Sequence, residues 1–147
     1  MSGTFSVRDL EEKDCHELLE LIRHLTTAEE IPDDELLSIF KERQTQGVIT
    51  KVVEDSESRR LVGTGSIFIE RKFSHGGKRV GHIEDVVVLP STQGEGIGRL
   101  LMEKLCALGK EYGCYKVILD CKESNIPFYS KFGFYKFETT MRLDIFP

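Results

Sequence analysis

The sequence predicts a mixed α/β fold of the α+β kind: one central sheet, mostly antiparallel with a single parallel strand pair, flanked by helices. Three observations predict it. Strand-like segments over Val48–Glu54, Leu61–Arg71 and Val80–Leu89 are joined by short polar or glycine-rich turns, which fold neighbours back antiparallel. An apolar strand, a glycine-rich loop, a long amphipathic helix and a second apolar strand then follow, the order of a βαβ unit with parallel strands. Ahead of all these, two segments carry apolar residues at helical rather than alternating spacing. With 147 residues the chain has the size of one domain, expected to span 1–147.

Taken in order, Phe5, Val7 and Leu10 alternate with polar residues as a short half-buried strand. Asp14 is placed to cap a helix carrying Leu18, Leu19, Ile22 and Leu25 on one face, and a second helix starts after Pro32 with Leu36, Leu37, Ile39 and Phe40. Gly47 ends it. Asp55–Arg60 and Ser74–Lys78, the latter centred on Gly76-Gly77, are the turns between the three antiparallel strands. Arg99–Tyr112 is the long helix, with Leu101, Leu105, Leu108 and Tyr112 on one face and Gly113 as its stop. Tyr115–Cys121 is a compact apolar strand. Asn125 caps a short helix with Pro127 in its first turn, Gly133 stops it, and Phe134–Ile145 alternates as a final strand or pair.

Composition narrows the function. Charged residues at 31% and apolar residues at 39% are ordinary for a globular protein. A net charge of −5 argues against nucleic acid, whose binding needs a positive face. Basic residues nevertheless gather at Arg59-Arg60, Arg71-Lys72, Lys78-Arg79, Arg99 and Lys116, either as solvated surface or as a local pocket for a small anion. The longest apolar stretch, Ile83–Pro90, falls well short of the roughly 20 residues that cross a bilayer, so no membrane partner is expected. Met1–Leu10 lacks a basic region followed by an apolar one; a cytoplasmic location is the default expectation, with organelle import left open. Cys15, Cys106, Cys114 and Cys121 show neither zinc nor disulfide spacing, so reduced thiols and no metal are expected.

The chemistry starts at Gln93-Gly94-Glu95-Gly96-Ile97-Gly98. A helix start exposes N–H groups without intrahelical partners and carries the positive end of the helix dipole, which suits a pyrophosphate. Gly94, Gly96 and Gly98 let phosphate approach the backbone, and Arg99 adds a charge. A P-loop would need lysine and then serine or threonine after its last glycine, where Arg99-Leu100 stands. A dinucleotide fold would need its glycines directly after the strand, and too little chain follows Asp120 to complete one. Physics alone leaves the cofactor open.

Gln93-x-x-Gly96-x-Gly98 after an apolar strand resembles the acetyl-CoA signature of the GNAT N-acetyltransferases, and the element order resembles theirs along nearly the whole chain. Gly81-His82-Ile83-Glu84-Asp85-Val86, Gly113-Cys114-Tyr115-Lys116, Leu119-Asp120-Cys121 and Phe128-Tyr129-x-Lys131-Phe132-Gly133-Phe134 are similar to the motifs of members acting on glucosamine 6-phosphate. Leu25-Thr26-Thr27 and Ile69-Glu70-Arg71-Lys72 fit the same group. The resemblance implies acetyl transfer from acetyl-CoA to the 2-amino group of that sugar phosphate, toward UDP-N-acetylglucosamine. It also implies a parallel pair splayed around the pantetheine arm, and a homodimer with a shared site.

Residue by residue, the resemblance assigns the donor to Val86, Val87, Val88, Gln93, Gly94, Glu95, Gly96, Ile97, Gly98, Arg99, Asn125, Tyr129 and Lys131. It assigns the sugar phosphate to Thr26, Lys72, His75, Tyr115 and Lys116, and the amine to Asp120. An ammonium cannot attack a thioester, so the enzyme must capture or make the free amine beside the acetyl carbon, for which a modest base or a water path suffices. Glu84 and Asp85 are the candidates, and strict alternation lets only one of them face the cleft without a bulge; Glu84 is favoured. Asp120 closes the facing strand, a backbone N–H near Val86 is the expected oxyanion donor, and Tyr129 is the expected acid at the leaving sulfur or else a core tyrosine. One departure stands out. Asp144 occupies the place where the family has a basic residue, and Arg142, on the same face of an alternating strand, is the candidate replacement.

Overall fold

A computed structural model describes residues 4–146. Its strands are β1 (Phe5–Asp9), β2 (Val48–Asp55), β3 (Leu61–Arg71), β4 (Arg79–Val88) and β5 (Cys114–Leu119). Its helices are α1 (Cys15–Ile22), α2 (Asp33–Thr45), α3 (Ile97–Glu111) and α4 (Ile126–Ser130). The strands form one sheet in the order β1-β2-β3-β4-β5, antiparallel throughout except for the parallel pair β4 and β5. This is the mixed sheet predicted from the turn spacing and the βαβ unit.

Alternation along the strands feeds two layers. Val52 and Leu61 pack with Leu21 of α1 on one face. Ile67 and Ile83 pack with Met102, Leu105 and Leu108 of α3 on the other, joined by Phe128, Tyr129 and Phe132 from α4 and the turn after it. Ile67, Leu101, Met102 and Leu105 are fully buried, each contributing about 1.5–3 kcal/mol through the surface it removes from water. The approach of α3 is close: a Cβ on Gly63 would lie 2.7 Å from Ile97 Cγ2, so β3 needs glycine there.

Several sequence expectations shift. Asp14 does not cap α1; its carboxylate accepts from Arg8 Nη1 at 2.7 Å and from the Glu11 N–H at 2.8 Å, an ion pair across the turn outcompeting the cap. Asn125 likewise makes no side-chain cap and closes a 3-10 turn. Helix α1 stops at Ile22 and leaves Leu25 half exposed, while α3 begins two residues before Arg99 and ends before Tyr112, which is exposed. The expected strand over Phe134–Ile145 is absent: residues 134–146 belong to no helix or strand. Alternation reports an extended segment with two unlike faces; a strand also needs a partner backbone, and this chain offers its tail none. Tyr135, Phe137, Met141, Leu143, Ile145 and Phe146 are left 64–92% exposed.

Candidate active site

The ladder between β4 and β5 runs from Arg79 opposite Cys114 to Ile83 opposite Leu119 and stops. Strand β4 continues to Val88. Its last five residues therefore face a gap on the β5 side, with backbone groups that the sheet does not use.

A bulge sits at the mouth of that gap. The β3–β4 register slips between Thr64 and Ser66, so that Ser66 pairs with Glu84 and Thr64 with Val87. Asp85 takes a left-handed φ of 51°, a conformation that aspartate tolerates better than most residues. The slip reverses the alternation. Ile83 packs against α3; past the bulge Val86 packs there too, while Val87 joins the α1 layer. Glu84 shares a cavity wall with His82, Phe68 and Val48, and Asp85 another with Thr50, Thr64 and Ser66, all on the α1/α2 face. The two neighbouring carboxylates thus present themselves to the same side, which alternation alone forbids.

Across the gap lies Asp120, whose Oδ1 accepts from Thr140 Oγ1 at 2.6 Å. Partial burial, then Asp85, then Asp120 push the Glu84 carboxyl above the ordinary carboxylate range, while His82 and Arg43 pull the other way. Tyr129, edge-on to Phe128 with ring centroids 5.0 Å apart, is held in the α3/α4 layer. Burial, with a smaller contribution from Cys121, raises its phenol, so it keeps its proton at neutral pH.

At the far end of the gap, Gly94 and Gly96 take φ values of 89° and 83°. A Cβ on either would meet nothing within 4 Å, so the loop lies open. Helix α3 starts without a side-chain cap, leaving its first N–H groups free for an anion. Gly98 has a different duty: a Cβ there would lie 3.0 Å from the Phe128 ring, which seats α4 against α3. Arg99 is paired with Glu103 at 2.9 Å.

The β3–β4 turn gathers part of the basic set. His75 stacks on Tyr115 with centroids 4.0 Å apart, and Lys116 Nζ lies 5.5 Å from the same ring. Lys72 pairs with Glu70 at 3.6 Å, and Glu70 with His82 Nε2 at 2.9 Å. Thr26 follows α1, its N–H donating to the Ile22 carbonyl. Arg142 is turned to Asp144 at 2.6 Å and is 82% exposed, so within the single chain it is not gathered into this group. Arg43 was missed by sequence reasoning. It continues the apolar face of Leu36, Ile39 and Phe40 by one helical step, and a charged residue on such a face is the signal that marks it.

The uncapped start of α3 suits an anionic group such as phosphate, and the unpaired edge of β4 suits a hydrogen-bonding arm such as one that carries amides. Chemistry of that description belongs to acyl carriers, and the fold and cleft define an acyltransferase. Residues 10–134 match the acetyltransferase (GNAT) family, and the chain belongs to that family. Glucosamine 6-phosphate N-acetyltransferase of Trypanosoma brucei brucei is 48% identical over 95% of each chain, and that of Arabidopsis thaliana 39% identical over 90% of this chain and 91% of the relative. A crystal structure of a Trypanosoma brucei acetyltransferase superposes with a TM-score of 0.93 at 46% identity, covering 97% of this chain and 100% of that one. The structure of Arabidopsis thaliana glucosamine-6-phosphate N-acetyltransferase superposes at 0.92 with 36% identity, covering 97% and 99%. No helix among the described residues is long and apolar enough to cross a membrane.

Proposed function

We propose that the chain transfers the acetyl group of acetyl-CoA to the 2-amino group of D-glucosamine 6-phosphate, giving N-acetyl-D-glucosamine 6-phosphate and CoA. The observation that carries this reading is the pair of adjacent carboxylates, Glu84 and Asp85, turned to one face beside an unpaired strand edge. The names of the relatives supply the amine.

In this reading the donor pyrophosphate rests on the N–H groups of Gly94–Arg99, with Gln93, Asn125 and Lys131 beside it. The pantetheine arm fills the gap along Val86, Val87 and Val88. Lys72, His75, Thr26, Tyr115 and Lys116 take the sugar phosphate through cationic and hydroxyl donors. Glu84 accepts the ammonium proton, directly or through water, with Asp85 and Asp120 holding the amine. The free amine attacks the thioester carbon, and a backbone N–H near Val86 receives the oxyanion. The attached nitrogen gives its remaining excess proton to solvent, the C–S bond breaks, and the thiolate takes the Tyr129 proton, which solvent restores.

Thiol release from acetyl-CoA with glucosamine 6-phosphate, glucosamine, spermidine and a peptide amine tests this. Release only with the phosphorylated sugar is expected. Preference for another amine gives the alternative acceptor, and tight CoA binding without release gives a binding module.

Two variants probe the parts. Tyr129→Phe is expected to lower kcat by about tenfold or more, the loss of one positioned proton donor, with acetyl-CoA affinity nearly unchanged; unchanged turnover removes Tyr129 from the chemistry. Gly96→Ala places a methyl in the open loop and forces a side chain into a left-handed φ, at about 1 kcal/mol of strain. Loss of one charge-assisted backbone contact adds about 1.5–3 kcal/mol, so the dissociation constant for CoA, read by calorimetry, should rise at least tenfold.

Arg142 lies in an exposed tail with an apolar, alternating pattern, and the reading includes a homodimer in which that tail pairs with the partner and brings Arg142 to the partner's sugar phosphate. The proposal further takes the reaction to run in the cytoplasm, on the route to UDP-N-acetylglucosamine, a reading that four free thiols support.

A further inference from the structure

Arg43 stands on α2 over the sheet face that carries Glu84 and Asp85. Its Nη2 donates to Ser66 Oγ at 3.1 Å and to Thr50 Oγ1 at 3.3 Å, and the two hydroxyls bond each other at 2.8 Å. Thr50 and Ser66 are cross-strand partners on β2 and β3, and Ser66 is the cross-strand partner of Glu84 on β4. One row therefore runs from Thr50 through Ser66 to Glu84, at the residue where the bulge begins. Arg43 also lines, with Asp85, a cavity of about 150 Å³ otherwise walled by residues such as Leu18, Ile22, Leu36 and Phe40.

Charge on this face is lopsided. Glu84 is faced by Asp85 and His82 from its own strand, by Asp120 from the end of β5 and by Arg43 from α2. Three carboxylates meet one permanent cation. Against an apolar wall its field is screened less than in water, and its hold on Ser66 fixes the distance at which it acts.

We propose that Arg43 is a positioning residue for acetyl transfer: pinned to Ser66, its guanidinium supplies the positive charge that offsets the Glu84–Asp85–Asp120 cluster and steadies the Glu84 side of the bulge. The proposal rests on the reading of Glu84 as the amine-side base. Arg43 touches neither substrate; it acts through Glu84. Its field lowers a carboxyl that burial and neighbouring acids raise, so removing it moves Glu84 further up.

The test is the pH profile of kcat/KM for glucosamine 6-phosphate at saturating acetyl-CoA, with wild type, Arg43→Gln, Arg43→Lys and Glu84→Gln, alongside thermal midpoints. For Arg43→Gln the acid limb should move to higher pH, with KM for acetyl-CoA unchanged. Arg43→Lys should keep the limb near its wild-type position. A limb that stays put in Arg43→Gln, or moves equally in Arg43→Lys, overturns the proposal and leaves Arg43 as a hydrogen-bonding strut. Should Arg43→Gln not fold, the pair Thr50→Val, Ser66→Ala decides: the guanidinium loses both hydroxyls that hold it, the limb should rise, and an unmoved limb counts against the proposal. Glu84→Gln separates the two levels. If it abolishes the limb while Arg43→Gln leaves it unmoved, only the role of Arg43 fails; if the limb survives Glu84→Gln, the base assignment itself fails and the role of Arg43 with it.

Discussion

Replacing Glu84 with glutamine is expected to lower kcat by about 10²- to 10⁴-fold, the range for removing a positioned general base, with KM for acetyl-CoA nearly unchanged. The amide keeps the shape and some hydrogen bonding but cannot take a proton. Because Glu84 titrates above the ordinary carboxylate range, the wild-type acid limb of kcat/KM should also lie above it. The sign follows directly: the base works only when deprotonated, so raising its affinity for protons moves the loss of activity to higher pH. Steady-state rates from pH 5 to 9 read both effects. A Glu84→Gln enzyme within tenfold of wild type would sink the assignment and shift attention to Asp85, which the bulge turns to the same face.

The second large effect concerns the tail. Met141 and Leu143 are 92% and 83% exposed in the single chain, and Tyr135, Phe137 and Ile145 on the same tail are 80%, 64% and 72% exposed, more large apolar side chains than one short segment ordinarily leaves to water. If the proposed dimer forms, the wild-type chain sediments at twice 16.8 kDa and the double variant Met141→Asp, Leu143→Asp should sediment as a monomer. Activity should fall with it by about tenfold or more, since the sugar phosphate loses the partner's Arg142, a charge-assisted contact of about 1.5–3 kcal/mol. A wild-type chain that sediments as a monomer at micromolar concentration would refute the shared site. So would a double variant that stays dimeric and active.

Much of this architecture is legible in the residues. Gly47, the polar Asp55–Arg60 stretch, Gly76-Gly77 and Gly113 punctuate the chain where elements change, and β2, β3 and α3 follow because period and punctuation agree. The bulge was not legible. Glu84-Asp85-Val86-Val87-Val88 is an uninterrupted strand pattern, and only the pairing with Gly63–Ser66 shows that one residue is extra. The cap failed for a local reason: Asp14 has the right residue type, yet Arg8, six residues earlier on β1, claims its carboxylate. Arg43 is a long-range case, since its partners Thr50 and Ser66 become neighbours only when β2 and β3 pair. The tail misled because alternation marks an extended segment with two unlike faces and carries no information on whether a partner backbone is present, and this chain supplies none to residues 134–146.

The parting of β4 from β5 after Ile83 and Leu119 has a consequence for the folded protein as a thermodynamic object. The sheet stops pairing there, and the first amides of α3 have no side-chain cap, so both offer backbone groups that a ligand can bond. A ligand that bonds both regions finishes the secondary structure as well as occupying a site, and it has no counterpart in the unfolded chain. Resistance to heat and to proteolysis should then rise with the logarithm of free ligand, by about 2.7 kcal/mol at a hundred times its dissociation constant. Cells rich in the acyl carrier would hold a measurably sturdier protein than cells depleted of it, and abundance could follow acyl-carrier supply without any change in synthesis.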